Sequence, residues 1–368
     1  MVFFGTPNSY LGLDIGTSSL KVVELVNRRK RVEVGTYGQI NFPNPLINPD
    51  TDEDKAIAET AQAITKLLDA AQVSTDAVIA ALPSSIVFSS VINLPAASDA
   101  DMDKAVHFAA RDIVPADLSE TVLGWSILGG TPHLDSDHTP LSADKKEAPP
   151  KINAADSVPV FLTAAPKEVV NRYERLIKLL KLNLVALEVE TFSLARSLLS
   201  GAADSALIID IGDRVTTYHI VDRGAPRVSF TLDYGGKDIT AAIASSNRSD
   251  TAQAESLKVK YGLGTGAPQD LRLTINNAVL KIMEQSRRLL DIYSQQSGRV
   301  INKTILIGGG ANLPDLAPAW SNFLRHKVSV GNPWQGLAVP DQLVSKLTEL
   351  GPAYAVAVGL AQRQISQV

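Results

Sequence analysis

Apolar positions recur along the chain with two periods, and they divide it into strands and helices. An apolar run over 10–15, a polar turn and a second run to 24 predict a strand–turn–strand hairpin, with a further strand over 32–40. Ile57, Ala61, Ile64 and Leu68 recur at helical spacing and predict a helix over 51–72, with Thr51 and Asp54 as its capping pair. Strands at 77–82 and 86–94 follow. A helix at 99–114 carries Met102, Ala105, Val106, Ala109 and Ile113 on one face. Next come a strand at 158–164, a helix at 166–182, an extended stretch at 184–188 and a helix at 190–199. A second strand–turn–strand unit begins at Ala206, a long helix covers 270–296, a strand covers 304–307, and the tail is helical over 352–364. Strands alternating with helices imply an α/β architecture.

Two stretches interrupt the pattern. Over 129–157 periodicity disappears, and Pro132, Pro140, Pro149 and Pro150 mix with charged and polar residues. Strand-like runs flank this stretch, which predicts a disordered hairpin insertion rather than a linker between domains. The stretch 77–98 is uncharged and about long enough to cross a bilayer. Pro83, Ser84, Ser85, Asn93 and Pro95 break it into two short runs, so buried strands are expected there instead.

Composition narrows the class. With 368 residues, 45% of them hydrophobic and 20% charged, the chain is long enough for two or more packed domains. A net charge of −4 gives no electrostatic footprint for nucleic acid or an anionic bilayer. The absence of cysteine excludes disulfides, thiolate metal sites, iron–sulfur clusters and cysteine nucleophiles. The five histidines are scattered, which argues against a histidine metal site. Met1-Val2-Phe3-Phe4 lacks the basic start and apolar run of a signal peptide, so a soluble, intracellular chain is expected.

The chemistry is carried by an internal repeat. Asp14-Ile15-Gly16 and Asp210-Ile211-Gly212 each end an apolar run and lead through a polar turn into a second strand. Their separation suits one duplicated lobe rather than a solenoid repeat. Glycine at the tip of a tight turn lets backbone N–H groups approach phosphate oxygens. Thr17, Ser18 and Ser19 add hydroxyl donors, and Lys21 adds charge. Asp14 and Asp210 would repel phosphate directly, but they suit a Mg²⁺ held between carboxylate and phosphate through water. Gly308-Gly309-Gly310, after a strand and followed by Asn312, offers a flat backbone surface for a base and ribose.

These motifs, in this order, resemble the actin-like ATPase superfamily, which includes actin, sugar kinases, heat-shock chaperone ATPases and FtsA. Leu11-Gly12-Leu13-Asp14-Ile15-Gly16-Thr17-Ser18-Ser19, Leu162-Thr163-Ala164-Ala165-Pro166, Val185-Ala186-Leu187-Glu188-Val189-Glu190-Thr191, Tyr234-Gly235-Gly236-Lys237-Asp238 and Val330-Gly331-Asn332-Pro333 resemble, within it, the PilM family of type IV pilus assembly proteins. The resemblance implies a two-lobed fold of duplicated ribonuclease H-like domains with an inserted FtsA-type small subdomain. Lobe one would be 1–85, 188–203 and 351–368, and the insertion 86–187. Lobe two would be 204–235 and 300–350, with a helical cap at 236–299.

It further implies ATP and Mg²⁺ as ligands. Phosphates would meet Gly16, Thr17, Ser18, Ser19, Lys21, Gly212, Thr216, Gly235 and Gly236. Glu255 and Lys258 would contact ribose and adenine beside Gly308, Gly309, Gly310 and Asn312, and Glu190 would be the catalytic candidate. The implied partner is the cytoplasmic N-terminus of a PilN-like membrane protein, bound between lobe one and the insertion; other pilus motor or platform components are further candidates. The protein would then be cytoplasmic, on the inner face of the membrane through that partner and without direct insertion. A small-molecule kinase or an FtsA-like division protein are the alternatives. Asp213-Arg214 departs from the small or hydroxyl residues usual in the second turn, so at most slow ATP hydrolysis is expected unless Arg214 pairs with Asp213 or Asp213 points outward.

Overall fold

The computed structural model describes residues 8–29, 31–43, 46, 52–128, 132–134, 157–201 and 203–365. The chain opens with β1 (Ser9–Ile15) and β2 (Ser19–Arg28), an antiparallel hairpin that sets Asp14 opposite Lys21 and Ile15 opposite Leu20. Next comes β3 (Arg31–Asn41), beside β2. Helix α1 (Glu53–Ala71) starts from Asp52, whose side chain accepts from the Lys55 N–H at 2.9 Å. The cap is therefore Asp52 and not the expected Thr51–Asp54 pair; Thr51 lies outside the described residues. A carboxylate accepts a first-turn N–H as well as a hydroxyl does, and here the chain enters the helix one residue later. The fully buried β4 (Ala77–Leu82) runs parallel to β1.

The insertion is a four-stranded sheet with one helix. It contains β5 (Phe88–Pro95), α2 (Asp99–Ile113), β6 (Thr121–Ile127), β7 (Pro132–Leu134) and β8 (Ser157–Pro166), in the order β5-β8-β6-β7. Met102, Ala105, Val106 and Ala110 of α2 pack against Leu123, Trp125, Val160 and Leu162 of this sheet. Of the hairpin expected over 129–157, residues 132–134 and Ser157 are described; 129–131 and 135–156 lie outside the described residues.

Helix α3 (Lys167–Leu179) and strand β9 (Asn183–Val189) belong by packing to the first sheet, although α3 and all but the last two residues of β9 fall inside the range 86–187 expected for the insertion. Strand β9 pairs with β4, which completes the order β3-β2-β1-β4-β9. On α3, Val170, Tyr173, Leu176 and Ile177 pack with Ile57, Ile64 and Leu67 of α1 on one face of that sheet. Strand pairing thus ends the inserted sheet at Pro166.

After α4 (Glu190–Leu198) the topology repeats. Strands β10 (Ala206–Ile211), β11 (Thr216–Asp222) and β12 (Ala225–Leu232) form an antiparallel meander. Three cap helices follow, α5 (Gly236–Asn247), α6 (Thr251–Tyr261) and α7 (Gln269–Ser297). Strand β13 (Lys303–Ile307) lies parallel to β10; α8 (Leu316–Leu324) and β14 (Lys327–Val330) complete a sheet ordered β12-β11-β10-β13-β14. Both sheets therefore have the same connectivity, with the rest of an antiparallel meander on one side of the first strand and two parallel strands on the other.

Helix α9 (Val344–Ile365) packs with α4 between the sheets, in a core that joins Tyr10, Val23 and Ile79 of one lobe to Ile208, Ile305 and Ile307 of the other. It begins earlier than the expected 352 and carries Pro352 inside it. An interior proline costs about 3 kcal/mol in an isolated helix. Here Leu347, Tyr354, Ala357, Val358 and Leu360 are buried, each contributing up to about 1.5–3 kcal/mol for the larger side chains, and packing prevails. Contact is so close that a Cβ on Gly12 would meet the Ala357 carbonyl oxygen at 1.9 Å, and one on Gly359 the Ser193 oxygen at 1.9 Å.

Candidate functional site

The duplicated hairpins close in the same way. The Gly16 N–H donates to the Ser19 carbonyl at 3.0 Å, and the Gly212 N–H to the Val215 carbonyl at 3.0 Å. Both turns lie at the carboxyl ends of parallel-paired strands, as do 83–85 after β4, Glu190 after β9 and 308–310 after β13. All of them open onto one cavity of about 530 Å³. Asp14, Gly16, Thr17, Ser18, Ser19, Lys21, Glu190, Asp210, Gly212, Gly308 and Gly309 line it, so the structure brings together most of the residues singled out in the sequence.

Asp14, Asp210 and Glu190 gather in this cavity with Lys21, and Asp213 and Lys237 also line it. Asp14 is 7% exposed and pairs with Lys21 at 3.3 Å. Burial pushes Asp210 up to about 6; the Asp14 charge adds to this and Lys21 offsets it in part. Burial and the Asp14 charge push Glu190 up to about 7, with a smaller push from Asp210, against the Ser84 N–H that donates to Glu190 Oε2 at 3.1 Å. The Tyr173 hydroxyl has no hydrogen-bond partner among the described residues; burial raises its pKa, and the Glu190 and Asp14 charges add to this.

Gly308 has a positive φ of 80°, and a Cβ there would meet Asp210 Oδ1 at 2.2 Å. The first glycine of the triplet therefore lets β13 end directly against the second hairpin. Gly310 packs on Ile211, while Gly309 faces open space. Lys258 and Glu255 are not a free helix face. Lys258 Nζ pairs with Glu255 at 2.7 Å and donates to the Gly236 carbonyl at 3.0 Å and to Thr240 Oγ1 at 2.9 Å. Lys258, Gly236 and Gly310 border a small neighbouring cavity of about 20 Å³.

Of the expected positions, Thr216, Gly235, Glu255 and Asn312 line neither of these cavities. Thr216 is fully buried and its hydroxyl donates to the Tyr234 carbonyl at 2.8 Å. Strand alternation turns Thr217 into the cavity instead. The two copies already align Thr216 with the buried Leu20 and Thr217 with Lys21, and that is the signal that separates them. Gly235 packs on the second turn, where a Cβ would meet the Asp213 carbonyl oxygen at 2.7 Å. Asn312 is exposed and donates to the Glu349 carbonyl at 2.9 Å. Asp213 pairs with Lys237 at 2.9 Å, not with Arg214, and both line the cavity. Ser84 and Lys237 are cavity residues that were not among the expected ligands, although Lys237 lies inside the Tyr234–Asp238 motif.

A second cavity, of about 300 Å³, lies between lobe one and the insertion. Residues 184–189 of β9, the outer strand of its sheet, form one wall and residues 122–126 of β6 the other. The lining is mostly apolar, with Phe161 and Phe192 among its residues. At one end Arg196 holds Glu188 through two hydrogen bonds of 3.0 and 3.1 Å, and Arg363 adds a third of 2.6 Å.

Two sheets of one topology, with helices threaded between them and a shared cleft at their strand ends, define the actin-like ATPase fold. MreB 5 of Spiroplasma citri, solved with AMPPNP bound, shares it at a TM-score of 0.52 and 13% identity over 99% of this chain and 98% of that one. EutJ, the ethanolamine utilization protein of Carboxydothermus hydrogenoformans, shares it at a TM-score of 0.55 and 14% identity over 96% and 89%. Within this class the chain belongs to the type IV pilus assembly protein PilM family, whose model matches residues 12–365. It is similar, at 28% identity and a TM-score of 0.78, to a chain of the PilM–PilN type IV pilus biogenesis complex, with 97% of this chain and 98% of that one covered.

Proposed function

We propose that this member of the pilus assembly family is a nucleotide-dependent scaffold. In this reading ATP with Mg²⁺ binds in the cavity between the hairpins, and the cytoplasmic N-terminal peptide of a PilN-like inner-membrane protein binds in the groove beside β9. The observation that carries the nucleotide half is the convergence of two equivalent turns on one cavity whose carboxylates outnumber its lysines. The residues suit the ligand. Hydroxyls of Thr17, Ser18 and Ser19, with Lys21, would bind phosphate oxygens; Asp14 and Asp210 would hold water around the cation. Among the described residues no three carboxylate or histidine groups are placed to hold a metal by themselves. Mg²⁺ keeps most of its waters and takes phosphate oxygens as ligands, so two aspartates would suffice for it beside a nucleotide. When bound, the cation neutralises phosphate charge.

Glu190, with its pKa near 7, is suited to orient a water and take its proton. Turnover is expected to be slow, because Asp213 and Val215 stand in the second turn where the first has Thr17 and Ser19. For the partner half, the apolar lining and the outer edge of β9 suit an extended peptide. Among the described residues no helix is long and apolar enough to cross a membrane, so the partner would supply attachment to the inner face. Nucleotide can change peptide affinity only if it binds the open and closed lobe arrangements unequally. Titration of the peptide with and without ATP–Mg²⁺ tests the coupling. A several-fold difference in affinity is expected, and equal affinities would refute it.

A further inference from the structure

The two turns are equivalent in backbone but not in what they present. The first lines the cavity with three hydroxyls, Thr17, Ser18 and Ser19. At the corresponding positions the second carries Asp213, Arg214 and Val215, and Asp213 sits on the cavity wall. That is an anion placed where a polyphosphate would bring more negative charge, and it is balanced by Lys237 at 2.9 Å.

Three features set Lys237 apart from an incidental surface lysine. It occupies the first turn of α5, where the helix dipole disfavours a cation. Two N–H groups at that helix end are already used: Gly236 donates to the Gly212 carbonyl at 2.9 Å and Lys237 to the Asp213 carbonyl at 2.8 Å. These bonds dock α5 onto the second turn and take up donors that a helix start ordinarily offers an anion. The side chain of Lys237, which lines the cavity, is then the positive group this helix end presents to the cleft. Finally, the pair is loosely held. The Lys237 side chain is 58% exposed and that of Asp213 33%, against 13% and 9% for Lys21 and Asp14. Exposed pairs contribute little to stability, so Lys237 can leave Asp213 for a stronger anion at little cost.

We propose that Lys237 is the phosphate-binding cation of lobe two, held ready by Asp213, and that this pair sets the preference of the cleft for a nucleoside triphosphate over a diphosphate. The proposal rests on the nucleotide reading above. A triphosphate carries the greater charge and gains more from Lys237; Asp213 opposes that gain, competing for the lysine and repelling the phosphate. Removal of the lysine charge therefore leaves the aspartate unbalanced, and removal of the aspartate charge frees the lysine.

Affinities for ATP–Mg²⁺ and ADP–Mg²⁺, measured by calorimetry on the full chain, test this. Lys237→Met keeps most of the side-chain stem and is expected to weaken ATP about tenfold and ADP less than about twofold. Asp213→Asn is expected to strengthen ATP by several fold, and Lys237→Arg to retain the wild-type ratio. Equal losses for the two nucleotides in Lys237→Met would reduce Lys237 to a support for the turn and overturn the proposal, as would an unchanged ratio in both charge-removing variants. A wild-type chain that binds neither nucleotide would overturn the nucleotide reading and this proposal with it. One that binds both, with a ratio insensitive to Lys237, would overturn the proposal alone.

Discussion

At residue scale, Asp14, Asp210 and Glu190 were each legible in a different degree. The repeated Asp-Ile-Gly draws attention to the two aspartates, because the same residue ends the first strand of both hairpins. Glu190 follows from the resemblance, and its physical character comes from three-dimensional proximity to Asp14. Because burial and that charge raise the Glu190 pKa from 4.5 to about 7, the folded chain binds this proton more tightly than the unfolded chain does. Its contribution to stability is thus largest below about pH 4.5 and is lost as pH rises toward 7. Glu190→Gln keeps an acceptor for the Ser84 N–H without the charge, so it should stabilise the nucleotide-free protein by about 1–3 kcal/mol above pH 7 and change little at pH 5. Thermal denaturation across this range measures it; equal effects at both pH values would contradict the assignment. The Asp213–Lys237 pair was not legible, since it depends on α5 docking onto a turn more than twenty residues earlier in the chain.

At the scale of elements, periodicity placed most strands and helices, and the errors have physical causes. Asp52 and Thr51 are adjacent N-cap residues, and helical periodicity does not fix a helix start to a single residue. Asp52→Ala should cost about 1 kcal/mol, seen as a lower denaturation midpoint, whereas Thr51→Ala should cost much less. The α9 start was misplaced because proline is a good first helical residue, and only the packing of α9 between two sheets shows that the helix runs through Pro352. Strand β9 was read as part of the insertion because sequence order does not reveal that it pairs back to β4.

For the whole molecule, the duplicated topology was implied by the repeat, while the joint between lobes was not. Thr191 of α4 shares a 2.9 Å hydrogen bond with His219 Nδ1 of β11, and Ser229 of β12 lies 3.1 Å from the same nitrogen. Burial holds His219 down to about 3, so it is neutral in the folded protein. Charging it must disrupt this joint, and stability from His219 is lost as pH falls below about 6.5. This opposes the Glu190 effect over part of the same range, and His219→Leu should separate them, with a shallower loss of stability than wild type between pH 6.5 and 5. Thr191 and Ser229 already lie 3.0 Å apart and can satisfy each other in that variant. The central claim is that the paired hairpins hold a Mg²⁺ nucleotide through Asp14, and calorimetric titration of ATP–Mg²⁺ into wild type and Asp14→Ala tests it most directly. The account predicts at least about tenfold weaker binding in Asp14→Ala, and a chelator that weakens wild type far more than the variant. Unaltered ATP affinity in Asp14→Ala, with the same dependence on Mg²⁺, would contradict it.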